Sequence, residues 1–325
     1  MGRKRIEMSE EIETLISEVG LEQAGRRLDQ VVAEQFAQFS RSRLQRWIKD
    51  GRLLLDGRPG KPKQKVRGGE RLELVPQLEQ EVTSRPQPIP LDILFEDESL
   101  LVVNKPAGLV VHPAVGNPDG TLLNALLHYF PAISQVPRGG IVHRLDKETS
   151  GLLVVAKTLQ AQTALVAQLQ ARSMKREYRA FAQGVMAAGG KVDAPIGRHP
   201  VHRTRMAVVA NGKPAVTHYR VIERYRFHTD LRIQLETGRT HQIRVHMAQI
   251  RFPLVGDPVY GGRLRLPTGI SDALAEGLRA FKRQALHARR LELVHPESGE
   301  QMSWEAPLPE DMEQLLGLLR ADAAE

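Results

Sequence analysis

Strand-like runs in this chain are unevenly spaced, and helical patterns do not alternate with them regularly. "SLLVVNKPAG" begins at Ser99, "GLLVVAKT" at Gly151, "KREYRAFAQGVM" at Lys175, "AVTHYRVIERY" at Ala215 and "TDLRIQLETG" at Thr229. Each is apolar or alternates apolar with polar residues, the strand signature. A parallel pair needs a crossover of a dozen or more residues between its strands, and only three residues separate the last two runs. Helical spacing follows in only a few places, such as "LQAQTALVAQLQAR" and, through Ile243, Met247 and Ile250, "RTHQIRVHMAQI". The expectation is an α+β protein with a mixed, largely antiparallel sheet and flanking helices.

At 325 residues the chain is long enough for two domains. The expected division is a tail over 1–24, a small α/β module over 25–80, a linker over 81–90 and a second domain over 91–325. "RRLDQVVAEQF" places Leu28, Val31, Val32, Gln35 and Phe36 at helical spacing, and "SRSRLQRWIKDG" puts Leu44, Trp47 and Ile48 on one helix face. Ser40 or Ser42 is the N-cap candidate of that second helix and Gly51 its stop. Arg43, Arg46 and Lys49 fall on the opposite face. Two strand-like runs follow in "RLLLDGRPGKPKQKVRGGERLELV", joined by turns and a basic loop. "QLEQEVTSRPQPIPL" then carries Pro86, Pro88 and Pro90, a spacing that favours an extended, semi-rigid tether.

The charge is unevenly placed. Gly25 to Leu72 holds 13 Lys or Arg against 5 Asp or Glu, which leaves 33 of each elsewhere and puts the whole net charge of +8 on the module. A positive field on one small domain points to a polyanion, most often nucleic acid. Arg41, Arg43, Arg46, Lys49, Lys61, Lys63 and Lys65 are its candidate contacts. The order helix, helix, "DG" turn and "GGE" turn resembles the S4-type RNA-binding domain over about residues 25–76. There is no cysteine, which removes disulfides and thiolate chemistry and fits a reducing compartment. No run is apolar and long enough to span a bilayer, and the start lacks a signal-peptide pattern. The expectation is a cytoplasmic protein with no membrane association, monomeric by default.

Familiar catalytic signatures are missing. No phosphate loop occurs, and the glycines of "GGIVHRLDKETSG" have the wrong spacing for a dinucleotide fingerprint. His241 and His246 are five apart and do not share a helix face, so metal binding is not expected. "TSG" after Glu148 is not a nucleophile elbow, which argues against a Ser150 triad. What remains is "HRLDKE", five ionisable side chains in the six residues His143–Glu148, set directly against the aliphatic "GLLVV". A carboxylate among cations reads first as an ion-paired surface group. The alternative is an active site, because neighbouring cations favour the ionised acid that a nucleophile or general base needs, and a buried strand would hold it still.

"KPAGLVVHP", "GIVHRLDKETSGLLVVAKT", "KREYRAF" and "ETGRTHQIRVHMA" are similar, in order and spacing, to the motif series of the RluA-type pseudouridine synthases. The resemblance spans about residues 90–310. It implies a pseudouridine synthase fold and an enzyme that isomerises uridine in RNA. Such an enzyme breaks the N-glycosidic bond, turns the uracil and rejoins it through C5. No cofactor is implied. "GNPDGTLLNALLHYFP", "RHPVHRTRMAV", "GKPAVTHYRV" and "PLVGDPVYGG" resemble the branch that acts on large-subunit ribosomal RNA, at a stem-loop facing the small subunit.

By the same resemblance Asp146 is the essential carboxylate and Arg244 of "HQIR" its ion-pair partner. Tyr178 of "KREY" stacks on the target base, and Arg144 of "HRLD" fills the gap the flipped base leaves. "KPAGLVVHP" supports the site, with Gly108 permitting a turn, and Gly151 relaxes steric limits where the strand resumes. Two other readings stand beside this one: a catalytically silent RNA-binding assembly factor, and an RNA N-glycosylase or hydrolase.

Overall fold

The structure, a computed structural model, describes residues 14–36, 39, 41–75, 85–114, 116–202 and 204–325, and the side chains of 41–43 also lie outside the description. The chain divides into two compact units, residues 1–83 and 84–325.

The first unit comprises β1 (Leu15–Glu18), α1 (Leu28–Gln35), α2 (Arg41–Lys49), β2 (Leu53–Leu55), β3 (Arg58–Pro59) and β4 (Arg71–Leu74). Its sheet runs β1-β4-β2-β3, all pairs antiparallel. The apolar faces anticipated for the two helices meet over this sheet: Leu28, Val31, Val32 and Phe36 pack with Leu44, Trp47 and Ile48 and with Leu53, Leu72 and Leu74. Asp56 and Gly57 both have positive φ, the geometry of a tight hairpin turn between β2 and β3. The stretch expected to be a tail carries β1, which pairs Leu15 with Leu74 and Glu18 with Arg71. Four residues between charged runs were too few for the alternation to register. Residues 1–13 of that tail lie outside the described residues, as does the Ser40 cap candidate.

The second unit holds β5 (Ile93–Glu96), β6 (Leu100–Lys105), α3 (Leu122–Tyr129), β7 (Ser150–Ala156), α4 (Leu159–Ala171), β8 (Lys175–Gln183) and β9 (Gly190–Asp193). It continues through β10 (Ile196–Arg198), β11 (Met206–Val208), β12 (Val216–Arg224), β13 (His228–Leu235), α5 (Gln242–Gln249) and α6 (Asp272–Ala280). β14 (Leu286–Val294), β15 (Gln301–Glu305) and α7 (Glu310–Ala324) complete it. Among the described residues nine strands form one sheet, β5-β6-β7-β14-β8-β13-β12-β9, with β15 paired to β14. Every pairing is antiparallel except that of β7 with β14.

β6 and β7 are buried on both faces, which is why their sequences are continuous aliphatic runs. Leu101, Val103, Leu153 and Val155 enter the main core with α3 and with Ile243 and Met247 of α5. Leu100, Val102, Leu152 and Val154 face Ala161 and Leu165 of α4. α6 and α7 close a third cluster around Phe181. The end of the proline-rich stretch is not a free tether. Arg85 O accepts from Asn124 Nδ2 (2.9 Å), and Gln87 bonds to both Gly120 and Asn124, so this segment lies along the second unit. Residues 81–84 of the expected linker lie outside the described residues. Among the described residues no helix is long and apolar enough to cross a membrane.

Candidate active site

Asp146 sits on the loop that enters β7, and three consecutive carbonyls of that loop are each held. Asp146 O accepts from Thr149 N–H (3.0 Å), Lys147 O from Lys105 Nζ (3.0 Å) and Gly108 N–H (2.9 Å), and Glu148 O from Arg283 Nη1 (3.2 Å). Lys105, the last residue of β6, is fully buried and also donates to Pro106 O and Leu109 O. Burial pushes its ammonium down to about 7, against the opposing pull of Glu148 and Asp146. Arg283 is fixed in turn by a two-pronged ion pair with Asp311 at the start of α7 (2.6 and 2.7 Å). The "KPAG" turn is therefore the brace behind the Asp146 loop, and Gly108, at φ +86°, supplies its turn. Gly151 has a second reason to lack a side chain: a Cβ there would stand 2.2 Å from Ala288 O, across the parallel β7–β14 pairing.

The charge cluster of the sequence separates in space. His143 turns inward, its Nε2 accepting from Val154 N–H, and burial lowers its pKa to about 3. Asp146 faces a cavity and meets Arg244 from α5: Nη1 donates to Oδ2 at 3.1 Å. Arg244 is buried, and its other edge grips Asp257 through Nε (2.7 Å) and Nη2 (2.9 Å). Asp257 Oδ1 also accepts from the N–H groups of Val259 and Tyr260. Burial alone would raise the Asp257 pKa, but Arg244 and these two N–H groups hold it below the usual range. One guanidinium thus spans two carboxylates, one locked in protein and one open to the cavity. Asp146 keeps 18% of its side-chain surface exposed, against none for Asp257.

His241 stands beside this pair. It occupies the left-handed region at the start of α5, and its Nε2 lies 4.0 Å from Asp146 Oδ1. The Tyr260 hydroxyl accepts from Met206 N–H (2.9 Å), so its own hydrogen is available to His241 Nδ1 at 2.8 Å. That assignment leaves the hydrogen of the neutral ring on Nε2, the nitrogen facing Asp146. Burial lowers the His241 pKa, with Asp146 opposing, so the neutral ring is favoured.

The cavity has a volume of about 530 Å³ and is lined by Asp146, Arg244, Tyr178, Arg144, His241 and Arg176 among others. All four residues singled out in the second domain converge there from three places: the β7 loop, β8 and α5. Tyr178 is buried on β8, and burial pushes its hydroxyl pKa up, so it stays a neutral phenol. Arg144 is exposed at the rim. In the first unit Arg46, Lys49, Lys61, Lys63 and Lys65 are exposed, and the side chains of Arg41 and Arg43 lie outside the described residues. The basic loop is pinned at its backbone: Gln64 O and Pro62 O accept from the first N–H groups of α1, while its lysines are exposed.

Asp257, Tyr260 and His241 were not among the expected site residues. Asp257 and Tyr260 lie in "PLVGDPVYGG" and His241 in "GRTHQIR", so the motifs were visible, but neither spacing says that Asp257 returns to Arg244.

Known proteins resemble the chain in both of its units. The RNA pseudouridylate synthase family matches residues 99–249 and the S4 domain matches residues 26–72. Ribosomal large subunit pseudouridine synthase D of Escherichia coli (strain K12) is 60% identical over 312 residues, 96% of each chain. The protein of the same name from Pseudomonas aeruginosa is 60% identical over 306 residues, 94% of this chain and 96% of its own. Among solved structures, human RNA pseudouridylate synthase domain containing 4 is 28% identical with a TM-score of 0.55, covering 70% of this chain and 92% of its own.

Proposed function

The chain belongs to the RNA pseudouridylate synthase family, in its RluA-type branch with an N-terminal S4 domain, and from that premise we propose that it isomerises specific uridines of large-subunit ribosomal RNA. The target is a stem-loop that faces the small subunit, where a base can be splayed out of its stack. The work is done in the cytoplasm, and a monomer suffices, because Asp146, Arg244 and Asp257 come from one chain.

The observation that carries this reading is the Arg244 guanidinium shared between locked Asp257 and cavity-facing Asp146. It fixes the direction in which the Asp146 carboxylate points and leaves one of its oxygens, Oδ1, toward the cavity. From that position the carboxylate either attacks the sugar or base, or takes a sugar proton; each role needs it beside a flipped nucleotide. Tyr178 offers a buried phenol ring against which a base can stack. Arg144 at the rim occupies the space the base leaves and contacts phosphate, which offsets part of the few kcal/mol that unstacking costs. The exposed lysines and arginines of the S4 domain supply backbone affinity and register, which a one-nucleotide cavity cannot provide.

The test is tritium release from large-subunit ribosomal RNA labelled at uridine C5, since joining C5 to the sugar expels that hydrogen. The wild-type protein is expected to release label, and Asp146→Asn to slow release by about a thousandfold or more while RNA binding persists. Absence of release from the wild type would favour the silent assembly factor, and free uracil would favour an N-glycosylase. Deleting residues 1–83 should weaken RNA binding and blur the choice of site; unchanged site choice would remove the role given to the S4 domain.

A further inference from the structure

Four cations are buried in the described structure: Lys105, Arg176, Arg244 and Arg283. Three have partners already given. Arg176 has no hydrogen bond or ion pair among the described residues, and its Nε is buried without an acceptor. It is only 8% exposed and lines the same cavity as Asp146. It leaves β8 two residues before Tyr178, so both side chains stand on one face of the strand. Its Nη1 reaches the backbone of Gly238, where a Cβ would come within 2.8 Å. A second buried donor lines the cavity unmatched: with His143 Nε2 accepting from Val154 N–H, the ring hydrogen lies on Nδ1, which has no partner.

A buried guanidinium without an anion is strongly unfavourable unless something else supplies the missing charge. Two buried, unmatched donors lining one cavity mark the place of a ligand rich in acceptors. The phosphodiester backbone is one source of negative charge, but it must stay at the mouth, where Arg144 and Arg138 are exposed. What descends to the level of Tyr178 is the base. Uracil presents two carbonyl oxygens, and once detached it is an anion. When C1′–N1 breaks, the electron pair leaves on the ring, spread over N1, O2 and O4. The sugar is compensated by a new bond from Asp146 to C1′, or by loss of its 2′ proton to Asp146.

We propose that Arg176 grips the flipped uracil, donating to its carbonyl oxygens and stabilising the negative charge that the ring acquires as C1′–N1 breaks. This rests on the cavity being the uridine site. It makes Arg176 a catalytic residue separate from the Asp146–Arg244 pair. The positive charge is preorganised in a water-poor site and gains its counter-charge in the transition state, where such an interaction acts most strongly.

The experiment uses full-length Arg176→Met and Arg176→Lys. The substrates are a stem-loop carrying a mapped target uridine labelled at C5, and the same stem-loop made abasic at that position. For Arg176→Met, single-turnover tritium release should fall about a hundredfold or more, with partial recovery in Arg176→Lys. Binding of the uridine stem-loop should weaken about tenfold, the worth of one charged contact to a ligand, while the abasic stem-loop binds as to wild type. Thermal melting of Arg176→Met should be at or above wild type, because an unpartnered charge has left the interior. Equal weakening with both stem-loops would make Arg176 a phosphate clamp and overturn the proposal. So would release within about twofold of wild type, or a lowered melting temperature that alone accounts for the lost activity. Release by wild type and not by Asp146→Asn, with full release by Arg176→Met, would defeat this inference and leave the proposed function standing.

Discussion

The two units treat positive charge in opposite ways. The S4 domain has its surplus of cations packed between Gly25 and Leu72, yet no lysine or arginine among its described residues is buried; the catalytic unit, with 30 Lys or Arg against 24 Asp or Glu, buries four. An exposed cation acts at long range, adds to its neighbours and is screened by salt. It needs no fixed partner, and the lysines from Lys61 to Lys65 have only their backbone fixed. A buried cation acts over one bond length, and its direction matters more than its charge. Arg244 is useful because Asp257 holds it from behind, and Arg283 because Asp311 does. Removing a surface charge should therefore change affinity and little else, whereas removing a buried partner should change stability and chemistry together.

The hardest test of that contrast is Asp257→Ala. It leaves Arg244 with Asp146 as its only carboxylate, and unpairing a buried ion typically costs about 3–5 kcal/mol. Urea denaturation should show that loss, and tritium release should fall about a hundredfold as Asp146 loses its orientation. A stability change within about 0.5 kcal/mol would break the distinction between the units.

Lys105→Met comes next. It strips a donor from the carbonyls of Pro106, Leu109 and Lys147 and should lower stability by about 2 kcal/mol near neutral pH. Its pH dependence has a definite sign. The folded pKa, about 7, lies below that of an unfolded lysine, so the unfolded chain binds more protons above that point. Stability of the wild type should therefore gain a rising contribution from pH 7 toward about 10. The Met variant should lack it, which melts at neutral pH and about pH 9 would reveal.

At the surface, Lys61→Gln, Lys63→Gln and Lys65→Gln together should leave stability within about 0.5 kcal/mol per site. The slope of log affinity against log salt should fall by about 2, the value for three cations on single-stranded RNA. Smallest of all, Lys49→Gln should reduce that slope by about 0.7 and leave the single-turnover rate unchanged. A rate change there would show that the exposed cations do more than hold RNA.

Much of the fold could be read along the chain because its elements are local. The Leu44, Trp47 and Ile48 stripe needs only helical spacing, and the double-sided burial of β6 and β7 is announced by continuous aliphatic residues. β1 escaped because four residues are too few to display a period, and the linker because its anchors on Asn124 lie in a different element. In the site, Asp146, Arg144, Tyr178 and Arg244 were singled out through motifs and do line one cavity.

The sequence by itself determined many of the strands and helices, that positive charge is dense between Gly25 and Leu72, and which motif residues line one cavity. Those are properties of neighbours along the chain. Only the tertiary structure decided that Asp257 stands behind Arg244, that Lys105 and Arg283 hold consecutive carbonyls of the Asp146 loop, and that Arg176 is left without a partner among the described residues. Pairing between charges far apart in sequence depends on burial and on angles of a few degrees, and neither leaves a mark on the composition or spacing of the residues involved.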